Sequence, residues 1–218
     1  MTTPETLVAR TADELDYAYR VLAESPDLGC DTETAGFDAR HCRLLSVQVS
    51  DGRFAVLVPA SEGVALGPLA QLLASSDHLK IFHNAKFDLR FLGEAGYTVR
   101  RVYDSMIAEK LITRGADQSN SLAETLYRYF AVDLDKTQRE TFTSKSWDGR
   151  WTPELVEYAL SDVRHLPELK RRQTEWLERL RLTDEFAVKM AKLRPSEAAA
   201  GAADEEGDAS GDARAVNY

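Results

Sequence analysis

The dipeptide Asp51-Gly52 lies between two apolar segments, "LLSVQVSD" (44–51) and "FAVLVP" (54–59). Asp-Gly flanked by such segments is a strong signal for a tight hairpin turn between two antiparallel strands. A third apolar segment, "LGCDTE" (28–33), precedes this pair closely, and we expect it to join the same sheet. The first part of the chain is therefore predicted to build a β-meander.

The chain then alternates between strand and helix patterns. "LKIFHN" (79–84) and "RRVYD" (100–104) are typical of short strands, and each precedes a helical pattern. The first of these helices should end at Gly96, and Asp104 should cap the second. Together with the meander, this order predicts class α/β, with a mixed five-stranded sheet flanked by helices.

Helical patterns also precede and follow this region. We predict helices over 12–23, with Thr11 as its cap, and over 68–74 and 121–130. A long helix should begin at Pro153, because proline is favourable in the first turn of a helix. Pro167 lacks a backbone donor and should break that helix near Val163.

The formal net charge of −9 argues against an overall basic nucleic-acid binder. Acidic residues are concentrated in the last stretch, 195–218, which is otherwise rich in alanine, glycine and serine. Such a segment cannot bury enough apolar surface to offset the entropy of ordering. We therefore expect a folded domain over residues 1–194 and a disordered acidic tail over 195–218, whose role stays open.

No run of about 18 apolar residues occurs, and the first residues lack the basic start and apolar stretch of a secretory signal. The two cysteines, Cys30 and Cys42, are too few for a disulfide framework. We expect free thiols, a cytoplasmic protein and no membrane partner.

Asp31 and Glu33 stand two residues apart at the end of an apolar strand. Residues at this spacing point to the same face of a strand, so the two negative charges would lie side by side. Like charges at close range perturb each other's pKa. A divalent cation such as Mg²⁺ or Mn²⁺ would make the arrangement favourable, because these ions prefer carboxylate oxygens.

Two later segments offer further acids. Asp88 lies in a predicted helix about one turn after Asn84, and Tyr158 and Asp162 share one face of another helix at spacing i, i+4. Taken singly, each has a plainer interpretation: Asp88 as an exposed helix acid, and Tyr158 with Asp162 as surface residues or an ordinary buried tyrosine.

The ordered set of D-x-E, N-x-x-x-D and Y-x-x-x-D resembles the DEDD superfamily of 3′–5′ exonucleases, in its tyrosine-bearing subgroup. That subgroup includes the proofreading domain of bacterial DNA polymerase I and ribonuclease D. The resemblance covers roughly residues 10–180 and is reinforced by "FHNAKFDLRFL" and "LVEYALSDVRHL". A histidine-bearing member would carry histidine five residues before the last aspartate, where this chain has Glu157.

The resemblance implies a ribonuclease H-like fold and two divalent cations, Mg²⁺ or Mn²⁺. By that resemblance, four acids would bind the metals: Asp31, Glu33, Asp88 and Asp162. The same acids would be catalytic, and Tyr158 would orient the attacking water. Three residues would contact the terminal nucleotide: Thr34, Asn84 and Phe87. Their plainer alternatives are a strand-end hydroxyl, a helix cap and a core aromatic, respectively.

The function expected from this resemblance is that of a stand-alone, metal-dependent 3′–5′ exonuclease. It would release nucleoside 5′-monophosphates from the 3′ ends of single-stranded DNA or RNA. DNA is favoured, because the stretch 121–142 looks closer to polymerase-type proofreading domains. The alternatives are a ribonuclease D-like or short-oligonucleotide ribonuclease, a non-catalytic nucleic-acid-binding module that keeps the fold, and a hydrolase of small phosphate esters. The sequence leaves the oligomeric state and the pathway open.

Overall fold

The computed structural model describes residues 5–114, 116–134, 141 and 147–193, so the predicted tail over 195–218 lies outside the described residues. Within them, strands form one mixed sheet with the order β1-β4-β3-β2-β5-β6. The strands are β1 (Glu5–Val8), β2 (Asp27–Thr34), β3 (Leu44–Ser50), β4 (Phe54–Val58), β5 (Leu79–Phe82) and β6 (Val102–Asp104).

The predicted hairpin is present between β3 and β4, which pair in antiparallel fashion. At its turn, Asp51 Oδ1 accepts backbone N–H bonds from Arg53 at 2.8 Å and Phe54 at 2.7 Å. Gly52 takes a positive φ of 89°, a conformation that glycine adopts without steric cost. The prediction of a tight hairpin turn at Asp51-Gly52 is therefore confirmed.

The expected number of five strands is wrong, because β1 adds a sixth. This strand has four residues and pairs in parallel with β4, in the register Glu5 to Phe54. It is short, half of it is exposed, and its partner lies about fifty residues away in the chain. Local apolar alternation, the signal used for the other strands, is too weak in so short a segment.

The helices lie close to the predicted positions, except that the last of them, over Thr183–Ala191, had no prediction of its own. They are α1 (Ala12–Leu22), α2 (Leu69–Ala74), α3 (Ala85–Glu94), α4 (Ser105–Ile112), α5 (Leu122–Phe130), α6 (Pro153–Arg164), α7 (Leu166–Arg179) and α8 (Thr183–Ala191). Thr11 caps α1 in a reciprocal capping box with Glu14, and Asp104 caps α4. The predicted break is confirmed, since α6 ends at Arg164 and Pro167 lies in the first turn of α7.

Helices cover both faces of the sheet. On one face, α1, α2 and α3 pack against strand residues that include Cys30, Val49 and Val56. On the other, α4 to α7 pack against residues that include Leu57 and Ile81. The result is a three-layer α/β/α arrangement in which α1 to α7 each bury apolar side chains against the sheet or a neighbouring helix.

None of the helices in the described parts of the chain has both the length and the apolar character that crossing a membrane requires.

Candidate active site

Three acidic side chains from distant parts of the chain meet at one point. Asp31 and Glu33 lie on the same face of β2, and Asp162 lies on α6. One carboxylate oxygen from each of them lies within 4.8 Å of the corresponding oxygens of the other two. All three side chains are half-buried, so the cluster is shielded in part from bulk water and still open to a ligand.

Gly29 explains how α6 comes close enough to β2 for this meeting. A Cβ atom at position 29 would lie 2.4 Å from the backbone oxygen of Val163 and 3.0 Å from Cβ of Leu166. Gly29 shares a strand face with Asp31 and Glu33, because these residues alternate along β2. The junction of α6 and α7 therefore sits directly on the strand backbone, next to Asp162.

The electrostatics of the cluster favour a bound cation. Burial raises the pKa of Asp31 well above its usual value, and the negative charges of Asp88, Asp162 and Glu33 raise it further. A divalent cation would offset these repulsions, and the donor set consists of carboxylate oxygens, which suit Mg²⁺ or Mn²⁺. The residues present therefore fit a divalent metal site.

Asp88 lies beside this cluster and outside the group of three. It is 2% exposed, and its Oδ1 accepts hydrogen bonds from the Thr32 backbone N–H at 3.1 Å and the Thr32 hydroxyl at 2.7 Å. The interpretation of Asp88 as an exposed helix acid is therefore wrong. Thr32 lies between Asp31 and Glu33 in the chain, so this contact links α3 to the strand that carries the first two acids.

The buried carboxyl of Asp88 should make the metal-free protein sensitive to pH. Burial raises its pKa to about 7 against the opposing effect of the Thr32 hydrogen bonds, and the charge of Asp104 contributes to the rise. Between pH 4 and 7 the folded state then holds a proton that the unfolded state has released. The free energy of unfolding of the metal-free protein should therefore fall as pH rises through this range.

Asp88→Asn measures this contribution, because asparagine mimics the protonated acid and can still accept from Thr32. In the presence of a chelator, we expect the variant to melt at a higher temperature than the native protein at pH 8, and at a similar temperature near pH 4. The same change at exposed Asp16 should leave the profile unaltered. A constant difference between D88N and the native chain across this range would contradict the assignment.

The predicted site residues surround a single cavity of about 350 Å³. Its walls include the four acids, Tyr158 and the three residues expected to contact substrate. Asn84 is exposed and its side chain makes no capping hydrogen bond to α3, so the helix-cap alternative for its side chain is not what the structure has. Thr34 donates its hydroxyl proton to the Gly36 carbonyl at 2.7 Å, as a strand-end hydroxyl would.

Aromatic side chains form one side of this cavity. Phe87 is half-buried, with its ring centroid 5.0 Å from that of Phe91 and 6.4 Å from that of Phe37. Phe37 itself is 74% exposed and lines the cavity from the loop after β2. The sequence patterns did not single out Phe37 as a residue of this cavity. Its position four residues after Glu33, in the loop that leaves the acidic strand, was the available signal.

Comparison with known proteins gives a consistent result. The profile of a 3′-5′ exonuclease family matches residues 7–178. Ribonuclease D of Jannaschia sp. (strain CCS1) is 33% identical over 185 residues, which cover 77% of this chain and 46% of that protein. DNA polymerase I of Aquifex aeolicus (strain VF5) is 28% identical over 167 residues, covering 76% of this chain and 27% of the polymerase. The chain thus spans about half the length, or less, of these curated relatives.

Among solved structures, NrnC of Brucella melitensis with bound Mg²⁺ superposes with a TM-score of 0.67 at 28% identity, covering 78% of this chain and 82% of that one. The same protein bound to pGG gives a TM-score of 0.69 at 29% identity, with the same coverage. The profile match spans well over half of the chain, and the acidic cluster lies within it. The chain therefore belongs to the 3′-5′ exonuclease family, as an α/β domain related to ribonuclease D.

Proposed function

We propose that this protein removes nucleoside 5′-monophosphates, one at a time, from the 3′ ends of short single-stranded oligonucleotides, using two divalent cations. The observation that carries this proposal is the carboxylate cluster of Asp31, Glu33 and Asp162, which faces the cavity of about 350 Å³. A cavity of this size is within the range of small-ligand sites, so it suits the end of a nucleic-acid chain better than a long tract.

The four acids would share the two cations. Asp31, Glu33 and Asp162 would hold one of them, and Asp31 together with Asp88 would hold the other, directly or through water. When bound, such ions lower the pKa of a coordinated water and stabilise the charge on the attacking and leaving oxygens. The protein's own part is to hold the carboxylates in fixed orientations toward the ions. The hydrogen bonds from Thr32 to Asp88 serve that end.

The aromatic wall would hold the terminal base. Phe37 presents an exposed ring, and Phe87 supports it at an edge-to-face angle of 66°. Stacking of a base on an aromatic side chain is worth about 1–3 kcal/mol and tolerates any base. Asn84, exposed at the cavity, would add a hydrogen bond to the terminal nucleotide.

The charge of the protein supports a short substrate. A net charge of −9 gives little long-range attraction for a polyanionic strand. The bound pGG in the structure of NrnC supports the same conclusion by similarity. The preference for DNA expected from the sequence remains a prediction, since the relatives include both ribonuclease D and a DNA polymerase.

Tyr158 lines the cavity one helical turn before Asp162 on α6, where its hydroxyl would orient the attacking water. A tyrosine hydroxyl titrates at about pH 10 in model peptides and is a poor base near neutral pH, so orientation is the role we assign to Tyr158. We expect Tyr158→Phe to lower kcat by about 10- to 100-fold with little change in KM, since a positioned hydrogen bond in the transition state is lost.

The matched control for Tyr158→Phe is the same change at Tyr127, which is 61% exposed on α5. That variant should keep native kcat and KM. The concentration of Mn²⁺ that gives half-maximal activity should be the same in both variants, because neither hydroxyl is assigned to the metals. A Y158F protein with native kcat would remove the tyrosine from the mechanism.

Substrate class is tested by measuring kcat/KM for DNA and RNA oligomers of matched sequence, from two to twenty nucleotides. We expect the highest values for the shortest oligomers in either sugar series. Values that rise steadily with length would contradict the short-substrate proposal. The ratio of the DNA to the RNA series measures the sugar preference directly.

A further inference from the structure

A buried carboxylate outside the metal cluster binds the starts of two helices at once. Asp104, at the end of β6, is 2% exposed. Its Oδ1 accepts backbone N–H bonds from Asn84 at 3.1 Å, Met106 at 2.9 Å and Ile107 at 3.2 Å. Its Oδ2 accepts one from Ala85 at 2.8 Å.

These four donors belong to different helices. Met106 and Ile107 are in the first turn of α4, for which Asp104 is the ordinary N-terminal cap. Asn84 and Ala85 begin α3, which has no side-chain cap of its own. Asp104 therefore also caps α3 from the neighbouring strand. A carboxylate at a helix start is favourable, and here one carboxylate serves two helix dipoles.

The contact with Asn84 has a particular structural effect. Asn84 takes the left-handed conformation, with φ 74° and ψ 49°. Asparagine adopts this conformation more readily than most residues other than glycine, and the hydrogen bond from its N–H to Asp104 stabilises it here. The bond from the Asn84 N–H to Asp104 lies at the point where the chain turns from β5 into α3. This turn leaves the Asn84 side chain exposed at the cavity.

The two helix starts that Asp104 joins are also two walls of the catalytic cavity. Asn84 and Met106 both line it, whereas Asp104 is buried behind them. Asp88 follows on the first turns of α3, so the start of that helix also sets the position of this acid. A substitution at Asp104 would therefore shift both Asn84 and Met106, and with them two sides of the cavity.

We propose that Asp104 is a positioning residue of the nuclease site, which holds the Asn84 turn and the first turn of α4 in a fixed relation around the substrate. This inference rests on the proposed function for its effect on activity, since it acts through Asn84 and Asp88. A plainer role would be the capping of α4 alone, and the two can be separated by choosing which hydrogen bonds a variant keeps.

Asp104→Asn and Asp104→Ser make this comparison, because asparagine and serine are similar helix caps. Both can accept from Met106 and Ile107. Asparagine has the same length as aspartate and keeps an oxygen at the Oδ1 position for the Asn84 N–H, while its amide nitrogen replaces Oδ2 and loses the bond from Ala85. The shorter serine hydroxyl keeps the capping position over Met106 and Ile107 and loses the bonds from both Asn84 and Ala85. With saturating Mn²⁺, we expect D104S to have about tenfold lower kcat/KM than D104N, on the order of the one neutral hydrogen bond to the Asn84 N–H that only D104N keeps.

Thermal melting of both variants shows whether they are equally folded at the assay temperature. If Asp104 only caps α4, D104N and D104S will have equal kcat/KM, and the proposal is overturned. Asn84→Gly gives a second test, since glycine takes a positive φ without support. In that background D104S should cost less activity than in the native chain, and an equal cost in both would also overturn the proposal.

Amide hydrogen exchange measures the protection of the backbone N–H groups that bind Asp104, and it does not depend on nuclease activity. In D104S, the amides of Asn84 and Ala85 should exchange faster than in the native protein, while those of Met106 and Ile107 keep their protection. Unchanged protection of Asn84 and Ala85 would overturn the proposal. A native chain without nuclease activity would instead overturn the proposed function, and exchange would still decide the contact.

Discussion

Replacing Asp31 by asparagine is expected to lower kcat by about a thousandfold or more, the largest catalytic effect of any single change in this protein. Asp31 is the acid at the centre of the cluster. Its pKa is raised by burial and then by the charges of Asp88, Asp162 and Glu33, which places it within electrostatic reach of all three. In the proposed mechanism it is also the acid shared by both cations, so its loss should impair both sites.

The same substitution should stabilise the metal-free protein, because it removes one of several mutually repelling charges. We expect D31N to melt at a higher temperature than the native chain in the presence of a chelator. We also expect it to lose most of the rise in melting temperature that Mn²⁺ or Mg²⁺ gives the native protein. Opposite changes in activity and metal-free stability are typical of a site built for function.

The matched control is Asp27→Asn, which removes a charge from the same strand. Asp27 is at the other end of β2, where its carboxylate lies 3.0 Å from Lys170 on α7. This control should keep native kcat and native stabilisation by metal, with a small cost in stability from the lost ion pair. If D31N kept a tenth or more of native kcat, the central role of Asp31 would be refuted.

Gly29→Ala is expected to have the largest effect on stability. The added Cβ would lie 2.4 Å from the backbone oxygen of Val163, and a backbone oxygen cannot rotate away as a flexible side chain can. The junction of α6 and α7 must then move off β2. We expect a loss of about 3 kcal/mol in the free energy of unfolding, which corresponds to about 6–12 °C in melting temperature for a chain of this size.

The shift of α6 away from β2 should also weaken metal binding, since α6 carries Asp162, and Tyr158 lies on the same helix. We expect the G29A protein to need a higher Mn²⁺ concentration for half-maximal stabilisation. The control is Gly93→Ala in α3, where a Cβ would meet nothing within 4 Å. That change should leave stability unchanged or raise it by about 0.5–1 kcal/mol, because alanine favours helix over glycine. Equal stabilities of G29A and G93A would contradict the account of this contact.

The parts of the fold that the sequence predicts well are those with strong local signals. Asp51-Gly52 between two apolar segments predicts the β3–β4 hairpin, and Pro167 predicts the break between α6 and α7. Each of these depends on a constraint within a few residues, such as a required positive φ or a missing donor. Strand β1 has no comparable local signal, since it is defined by its pairing with β4.

The site residues likewise divide into those that a sequence pattern predicts and those that depend on contacts between distant parts of the chain. The acids and Tyr158 can be picked out because their order along the chain matches a known pattern, and the structure brings them to one cavity. The contacts that support them could not be predicted in this way. The hydrogen bonds between Thr32 and Asp88 join residues 56 positions apart. The hydrogen bonds between Asp104 and the start of α3 join residues 19 and 20 positions apart, on a strand and on a helix. Such contacts follow from how the sheet and helices pack, and no spacing in the sequence encodes them.

The most direct test of the central claim is a time course on a single-stranded oligonucleotide labelled at its 5′ end, with Mn²⁺ or with a chelator, followed on a denaturing gel. We expect a ladder of labelled products that shortens one nucleotide at a time from the 3′ end, only with metal. D31N, analysed beside it, should give no ladder. Products of a single internal cut, a label released at once as a mononucleotide, or a ladder that persists in chelator or in D31N would contradict a metal-dependent 3′–5′ exonuclease.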